Sequence, residues 1–459
     1  MIAPARIAAF DILRAVSSGS ADLPAAIASA RAHLTDERDV SLAAEIATGV
    51  QRWRAALDYL IVAFAKRPLN RIDGAIVEIL RLSVYQLLHL TRVPAAAVVD
   101  DAVDLVKRAG KKSAGGFVNA VLRALSRRRR DLPLPERPED GAQRARALDY
   151  MSVTLSHPRW LAERWLDRFG FEIAETWMQF NNKPAPLTLR VNPLRNTTQE
   201  LIKQLDREDV RVSPGHFSPD ALLVEEGHPL RGDGLAQGWF VVQDEASQLV
   251  ALLANAQPGT SVLDTCASPG GKTTAMAAMM RGEGILVAAD MRDRRIRLLR
   301  RTVSASGARN VAIVRADVLR PPPFSKLFDL VVVDAPCSGL GTLRRDPDIR
   351  WRRSESDLPL LAAAQLTMLQ QAGDVVAPGG RLVYSTCSSE PEENEGVVSA
   401  FLAGNPAFTR MDARLASPAL PVAVVDDSGC LRTQPHLHQL EAFFGAVFVR
   451  GRGFSQADL

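Results

Sequence analysis

The chain of 459 residues has only four cysteines and no run of 18 or more apolar residues. The small number of cysteines argues against a disulfide-stabilised secreted protein. The absence of a long apolar run argues against a membrane-spanning helix. The amino-terminal segment MIAPARIAAFDILRAV is interrupted by Asp11, so it lacks the apolar core of a signal peptide. We therefore expect a cytoplasmic protein with no membrane partner.

Metal-binding patterns are absent as well. The sequence has no CxxC and no HExxH, and its seven histidines are scattered apart from His436 and His438. Two alternating histidines are more often incidental than ligating, so the sequence predicts no metal site.

The composition is that of a globular chain, with 47% hydrophobic and 24% charged residues, long enough for two or three domains. A net charge of +4 and a pI near 9.0 lean mildly toward polyanionic partners. The basic run SRRRR at 126–130 is explained equally well by RNA binding or by an ordinary solvated surface. A second cluster combines arginines with an aromatic ring suited to base stacking. It consists of Arg344, Arg345, Arg350, Arg352 and Arg353 around Trp351.

Short apolar runs that stop abruptly on a polar residue predict a parallel sheet. Amphipathic stretches at 293–306 and 355–375 separate them, which is typical of βαβ units with strands buried on both faces. A polar residue must end any buried strand, but several acids in succession suit a ligand with several donors, such as a ribose or an adenine amine. The runs end at Asp264, Asp290, Asp317, Asp334 and Thr386.

Three of the four cysteines lie at or just beyond the carboxyl ends of these strands, where open α/β sheets hold their ligands. They are Cys266, Cys337 and Cys387. Cys430 lies outside any motif, and we expect it to be a small buried hydrophobe.

The loop after the first strand contains two glycines and runs into the helix-like segment AMAAMM. Glycines let the backbone approach a ligand closely, and a helix amino terminus favours a carboxylate or a phosphate. A P-loop would need glycine where Cys266 stands, and the dinucleotide pattern GxGxxG is missing, so nucleoside triphosphate hydrolysis and nicotinamide chemistry are disfavoured. The loop consists of Cys266, Ala267, Ser268, Pro269, Gly270, Gly271 and Lys272.

Five segments, in chain order, carry a family resemblance. They are DTCASPGGKTT, AADMRDRRIRLL, VRADVL, VVVDAPCSGLGTLRRDPDIRW and GGRLVYSTCSSEPEENE. Together they closely resemble the bacterial ribosomal RNA cytosine-5 methyltransferases of the RsmB (Sun/Fmu) and Nop2 group. The resemblance covers nearly the whole chain, and the two-cysteine combination is highly specific. Ser268 departs from the usual family loop CAAPGGK, a change that a loop working through its backbone should tolerate.

The resemblance implies a mechanism in which S-adenosylmethionine is the methyl donor. Carbon 5 of cytosine is a weak nucleophile, so a thiolate must first add to carbon 6. The family pattern makes Cys387 the attacking thiol, Asp334 the acid that hydrogen-bonds and protonates ring nitrogen 3, and Cys337 the residue that helps release the product. Cations could lower the pKa of the attacking thiol, and the sequence offers Lys272, Arg344, Arg345 and Arg350. The implied cofactor-binding residues are those of the loop from Cys266 to Lys272, with Asp290, Arg295, Asp317 and Asp334.

The sequence also predicts the order of domains. Residues 1–130 carry apolar positions at helical spacing and resemble the NusB-like RNA-binding domain of RsmB proteins. We expect a polar linker at 131–150, a small α+β RNA-contacting domain at 151–235 and a catalytic domain at 236–459. The expected fold of the catalytic part is the Rossmann-like α/β domain of class I S-adenosylmethionine-dependent methyltransferases.

The expected substrate is 16S ribosomal RNA, naked or partly assembled, with the target base exposed or flipped. Two alternatives stay open. The same chemistry could act on transfer RNA or 23S ribosomal RNA, although the helical extension argues against it. The chain could instead be a non-catalytic antitermination factor, although the intact Cys337, Cys387 and Asp334 argue against that.

Overall fold

A computed structural model describes residues 2–91 and 93–452 of the chain. It contains two compact units, one formed by Met1–Pro184 with Leu343–Glu355 and the other by Ala185–Thr342 with Ser356–Leu459. The finer division at residues 130, 150 and 235 stays a prediction. Within the described residues, no helix is long and apolar enough to cross a bilayer.

The first unit is helical. Aspartates cap α2, α3 and α5 by accepting a hydrogen bond from a backbone N–H of the first turn. The helical spacing of apolar residues at 7–13, 57–64, 76–88 and 118–125 correctly predicts four helices of this unit, whereas those at 23–31, 37–52 and 95–108 were not predicted. The helices are α1 (Pro4–Ser17), α2 (Leu23–Arg31), α3 (Glu37–Arg52), α4 (Arg54–Ala65), α5 (Gly74–His89), α6 (Ala95–Arg108), α7 (Gly115–Arg127), α8 (Arg144–Asp149), α9 (Arg159–Phe169) and α10 (Phe171–Asn182).

The second unit begins with a small antiparallel sheet in the order β2-β3-β1-β4. Leu189 pairs with Val242, so β4 belongs to this sheet. The helices α9 and α10 belong to the first unit. The elements are β1 (Thr188–Val191), α11 (Thr198–Asp206), β2 (Arg211–Pro214), β3 (Ala221–Glu226) and β4 (Phe240–Val242).

The main sheet has the order β10-β12-β9-β8-β5-β6-β7, and β11 pairs with β12. Strands β5 to β9 are parallel, while β10, β11 and β12 run antiparallel to their neighbours. From β5 the chain builds the sheet first in one direction and then, from β8, in the other. This reversal is the topological switch point at which open α/β sheets bind ligands.

The helix α15 (Ile349–Arg352) belongs to the first unit. The remaining elements of the second unit follow in chain order: α12 (Glu245–Ala254), β5 (Ser261–Asp264), α13 (Gly271–Met279), β6 (Ile285–Asp290), α14 (Asp293–Ser306), β7 (Val311–Arg315), β8 (Phe328–Asp334), α16 (Asp357–Asp374), β9 (Val376–Thr386), α17 (Glu395–Gly404), β10 (Phe408–Met411), α18 (Ala413–Ala416), β11 (Leu431–Arg432), α19 (Pro435–His438) and β12 (Phe444–Arg450). The expected strand ends at Asp264, Asp290, Asp334 and Thr386 are confirmed. Strand β7 ends two residues before Asp317, which lies in the following loop.

One member of the predicted arginine cluster, Arg350, is not available to RNA. Arg350 is fully buried in the first unit, where its guanidinium donates to the carbonyl oxygen of Ser156 at 2.9 Å and to Oδ1 of Asn182 at 3.0 Å. Burial lowers its pKa to about 9. The indole N–H of Trp351 donates to the carbonyl oxygen of Gln51 at 2.6 Å. Arg350 is therefore a buried structural residue of the first unit, and its guanidinium is not exposed to RNA.

Candidate active site

Two thiols meet at the carboxyl edge of the main sheet. Cys337 follows β8 and Cys387 follows the adjacent parallel strand β9, and their Sγ atoms are 3.2 Å apart. The backbone N–H of Gly341 donates to the carbonyl oxygen of Cys387 at 3.0 Å. A Cβ on Gly341 would lie 2.8 Å from the carbonyl oxygen of Cys387 and 2.0 Å from that of Ala442, so only glycine allows this close approach.

The ionisation of Cys337 is set by its surroundings. The hydrogen bond with Cys387, together with burial and the negative charges of Cys387 and Glu393, raises the pKa of Cys337 well above its ordinary value. Cys337 therefore stays protonated near neutral pH.

Asp334 lies at the end of β8 and is held by two partners. Its Oδ2 is 2.6 Å from Nζ of Lys272, and its Oδ1 accepts a hydrogen bond from Oγ of Ser385 at 2.8 Å. Burial alone would lower the pKa of Lys272, but the charge and hydrogen bond of Asp334 outweigh it, and the charge of Cys387 acts in the same direction, so the pKa is raised. Lys272 is thus an ammonium ion beside the thiol site.

The loop after β5 is held mainly through backbone atoms. The N–H of Ala267 donates to the carbonyl oxygen of Ala289 at 2.9 Å, and the N–H of Ser268 donates to Oδ2 of Asp290 at 3.3 Å. The guanidinium of Arg295 donates to the carbonyl oxygen of Ser268 at 3.1 Å, and Oγ of Ser268 donates to the carbonyl oxygen of Arg295 at 3.0 Å. The Ser268–Pro269 peptide bond is cis. Arg295 therefore lies against the loop and braces its backbone.

Two ionisable side chains at the end of β5 and the start of the loop have raised pKa values. Burial raises the pKa of Cys266 to about 12, so this thiol is not a nucleophile near neutral pH. Asp264 is 1% exposed and accepts a hydrogen bond from Oγ1 of Thr273 at 2.7 Å. Burial raises the pKa of Asp264 to about 7.

Further along the sheet edge, the residues fit a nucleoside. Oδ2 of Asp290 is engaged by Ser268 and Arg295, whereas Oδ1 has only a 3.4 Å contact with the N–H of Arg292 and keeps acceptor capacity for a ribose hydroxyl. Asp317 lines a cavity of about 450 Å³ whose other walls include Met291, Pro321 and Pro323. Arg315 and Arg320 line the same cavity. A carboxylate beside apolar side chains suits an adenine ring and its exocyclic amine. The two carboxylates and the cavity therefore fit S-adenosylmethionine.

Comparison with known proteins identifies the family. Three family models match the chain, described as the NusB family at residues 3–127, the Methyltr_RsmF/B-like ferredoxin-like domain at 157–231 and 16S rRNA methyltransferase RsmB/F at 251–449. The probable ribosomal RNA small subunit methyltransferase B of Bacillus subtilis (strain 168) is 32% identical over 416 residues, which cover 89% of this chain and 90% of the relative. The chain belongs to the RsmB/F family.

Further relatives agree with this assignment. Ribosomal RNA small subunit methyltransferase B of Pseudomonas putida is 34% identical over 410 residues, which cover 89% of this chain and 91% of that protein. The crystal structure of a methyltransferase homologue from Pyrococcus horikoshii matches 66% of this chain and 98% of its own length, with 27% identity and a TM-score of 0.57. The expected fold class is confirmed: a NusB domain and a ferredoxin-like domain precede an S-adenosylmethionine-dependent methyltransferase domain.

Several residues of this RsmB/F site were missed by the sequence reasoning. Ser385 holds Asp334, and Glu393 contacts the serines that follow both thiols, Ser338 and Ser388. The segment PEENE, directly after the second cysteine motif, was the available signal, but its spacing does not show which acid turns inward. Among the described residues 2–91 and 93–452, no group of three or more histidine, cysteine, aspartate or glutamate side chains could hold a metal ion.

Proposed function

We propose that this protein transfers a methyl group from S-adenosylmethionine to carbon 5 of a cytosine in 16S ribosomal RNA, through a covalent bond between Cys387 and carbon 6. The observation that carries the proposal is the 3.2 Å approach of the Cys337 and Cys387 sulfurs beside Asp334. A single buried cysteine is usually structural, whereas two thiols brought together from adjacent strand ends serve a reaction that forms and then breaks a thioether.

The methyl donor would be held by the loop from Cys266 to Lys272 and by the acids along the edge of the sheet. The amino terminus of α13 suits its carboxylate, Asp290 suits the ribose and Asp317 suits the adenine amine. Arg295 braces the loop, and Asp334 lies on the donor side of the thiol site. When bound, S-adenosylmethionine supplies an electrophilic methyl group on a sulfonium.

Each side chain at the thiol site has a role in the proposal. As the Cys387 sulfur adds to carbon 6, its proton passes through Asp334, which hydrogen-bonds and protonates the ring at nitrogen 3, so carbon 5 becomes nucleophilic. Lys272 fixes the Asp334 carboxylate and places a positive charge near Cys387. After methyl transfer the proton on carbon 5 leaves to solvent, the nitrogen 3 proton returns as Cys387 is eliminated, and Cys337 assists this release.

The substrate part of the proposal depends on the helical extension and on the relatives. A NusB-family region precedes the methyltransferase domain, and the relatives are named for the small ribosomal subunit. The target cytosine must leave its stack, because carbon 6 is shielded inside a helix. We place the reaction in the cytoplasm, where the two thiols stay reduced.

The test is to incubate the purified protein with radiolabelled S-adenosylmethionine and, separately, unmodified 16S ribosomal RNA, 23S ribosomal RNA and transfer RNA. We expect label in 5-methylcytosine of the 16S RNA alone. Label in 5-methylcytosine of another RNA would keep the chemistry and overturn the substrate. Label in a different nucleoside, or none in any RNA, would overturn the reaction.

A further inference from the structure

Glu393 is a carboxylate buried directly behind the two thiols. Its exposed fraction is 0%, and no lysine or arginine forms an ion pair with it within the described residues. Burying a carboxylate without a cation is costly unless hydrogen bonds replace its hydration. The burial of the Glu393 carboxylate at this position therefore needs a physical explanation.

Four donors solvate this carboxylate. Oε1 accepts from the backbone N–H of Ser338 at 2.8 Å and from Nε2 of Gln365 at 2.9 Å. Oε2 accepts from the hydroxyls of Ser338 and Ser388. The two hydroxyl oxygens are themselves 3.1 Å apart. Because Ser338 follows Cys337 and Ser388 follows Cys387, one carboxylate ties together the residues next to both thiols.

The network continues into the elements that support the loops. Gln365 lies on α16 and also donates to the carbonyl oxygen of Pro336, at 3.0 Å. The hydroxyl of Tyr384, on β9, donates to the carbonyl oxygen of Glu393 at 2.6 Å. Glu393 is thus fixed against a helix and a strand, so it can hold the two loops in one arrangement.

A direct role as the base that removes the carbon 5 proton does not fit this geometry. Each oxygen of Glu393 already accepts two hydrogen bonds, and the side chain has no exposed surface. A general base must come within hydrogen-bond reach of the proton that it takes.

We propose that Glu393 is a positioning residue that sets the separation of the Cys337 and Cys387 thiols by holding the serine that follows each of them. The proposal deepens the function proposed above, and part of its relevance rests on that function. The proximity of the two sulfur atoms can be measured without any methyl transfer.

The first experiment measures thiol proximity by oxidation with diamide, which takes up the two thiol hydrogens as the Cys337–Cys387 disulfide forms. Peptide mass mapping follows the disulfide in the wild type, in Glu393→Gln and in Glu395→Gln. Glutamine matches the size of glutamate but removes the charge and one acceptor oxygen. Glu395→Gln makes the same change at an exposed acid two residues away that pairs with Arg432. We expect disulfide formation to slow at least about tenfold in Glu393→Gln and to stay unchanged in the control.

The second experiment measures methyl transfer by the same variants. We expect kcat of Glu393→Gln to fall about 100-fold, because a misplacement of reacting groups by about 1 Å lowers the rate by about this factor. KM for S-adenosylmethionine should not change. If Glu393→Gln does not fold, the double variant Ser338→Ala with Ser388→Ala removes two of the four donors, and we expect it to slow disulfide formation as well.

Wild-type rates of disulfide formation in Glu393→Gln, or in the double serine variant where Glu393→Gln does not fold, would overturn the positioning role. A slowed disulfide in a protein whose wild type methylates no RNA would keep the positioning role and overturn the proposed function, so the two failures are distinguishable.

Discussion

The loop after β5 and the two loops after β8 and β9 lie along the same edge of one sheet but are held in different ways. The first is fixed by backbone hydrogen bonds, and its cysteine is inert because burial raises the pKa of Cys266 to about 12. The other two are fixed by side chains, and their cysteines, Cys337 and Cys387, face each other at 3.2 Å. Because the pKa of Cys337 is raised as well, the feature that separates the two regions is the 3.2 Å approach of the Cys337 and Cys387 sulfurs.

The largest effect that would sharpen this comparison is the loss of the attacking thiol. We expect Cys387→Ala to lower kcat by at least about 10,000-fold, because no other group in the proposal can form the bond to carbon 6. Cys266→Ala is the matched control and should keep its activity, since the loop works through its backbone. Radiolabel transfer to RNA measures both. Loss of activity in Cys266→Ala, with binding of S-adenosylmethionine intact, would contradict the difference between the loops.

A smaller effect is expected from breaking the ion pair beside the thiols. Asp334→Asn keeps the shape of the side chain but removes the charge that faces Lys272 at 2.6 Å. We expect kcat to fall about 100-fold, in the usual range for loss of an acid–base group. Asp374→Asn, at the exposed end of α16, is the control for surface charge. Equal kcat values for Asp334→Asn and the wild type would remove Asp334 from the mechanism.

The smallest expected effect is on the free energy of unfolding. It comes from Asp264 and depends on pH. Burial raises its pKa from 3.8 to about 7, so between these values the folded protein holds a proton that the unfolded chain has lost. The free energy of unfolding therefore falls as pH rises through this window, and the loss is complete above about 7. Asp264→Asn cannot ionise, so it does not undergo this loss. Between pH 5 and pH 8 its free energy of unfolding should therefore rise by at least about 1 kcal/mol relative to that of the wild type.

Chemical denaturation of both proteins at the two pH values measures this difference. If the free energy of unfolding changes by the same amount in the wild type and in Asp264→Asn, Asp264 is ionised in the folded protein at both pH values.

The strand ends and the two main amphipathic helices could be predicted because apolar runs and their polar stops are local signals. Helix α14 begins at Asp293 and ends at Ser306, as the spacing predicts. The thiol residues and the cofactor loop came from motifs in the same way. Relations between distant residues could not be predicted: β4 pairs with the small sheet, and Arg350 is buried against Ser156 and Asn182.

The sequence reasoning missed Glu393 for the same physical reason. A run of acids normally lies in solvent, and the donors that make burial of this one tolerable come from Ser338, Gln365 and Ser388, up to 55 residues away. Charge alone therefore does not show whether a residue is exposed, because its partners decide this and they are set by the fold.

The most direct test of the account is to react Cys337→Ala with 16S ribosomal RNA and S-adenosylmethionine, and to map any protein–RNA adduct that survives denaturation. We expect an adduct that accumulates because release is impaired, with the nucleotide attached to the peptide that contains Cys387. Normal turnover of Cys337→Ala without an adduct, or an adduct on any other residue, would contradict the roles assigned to the two thiols.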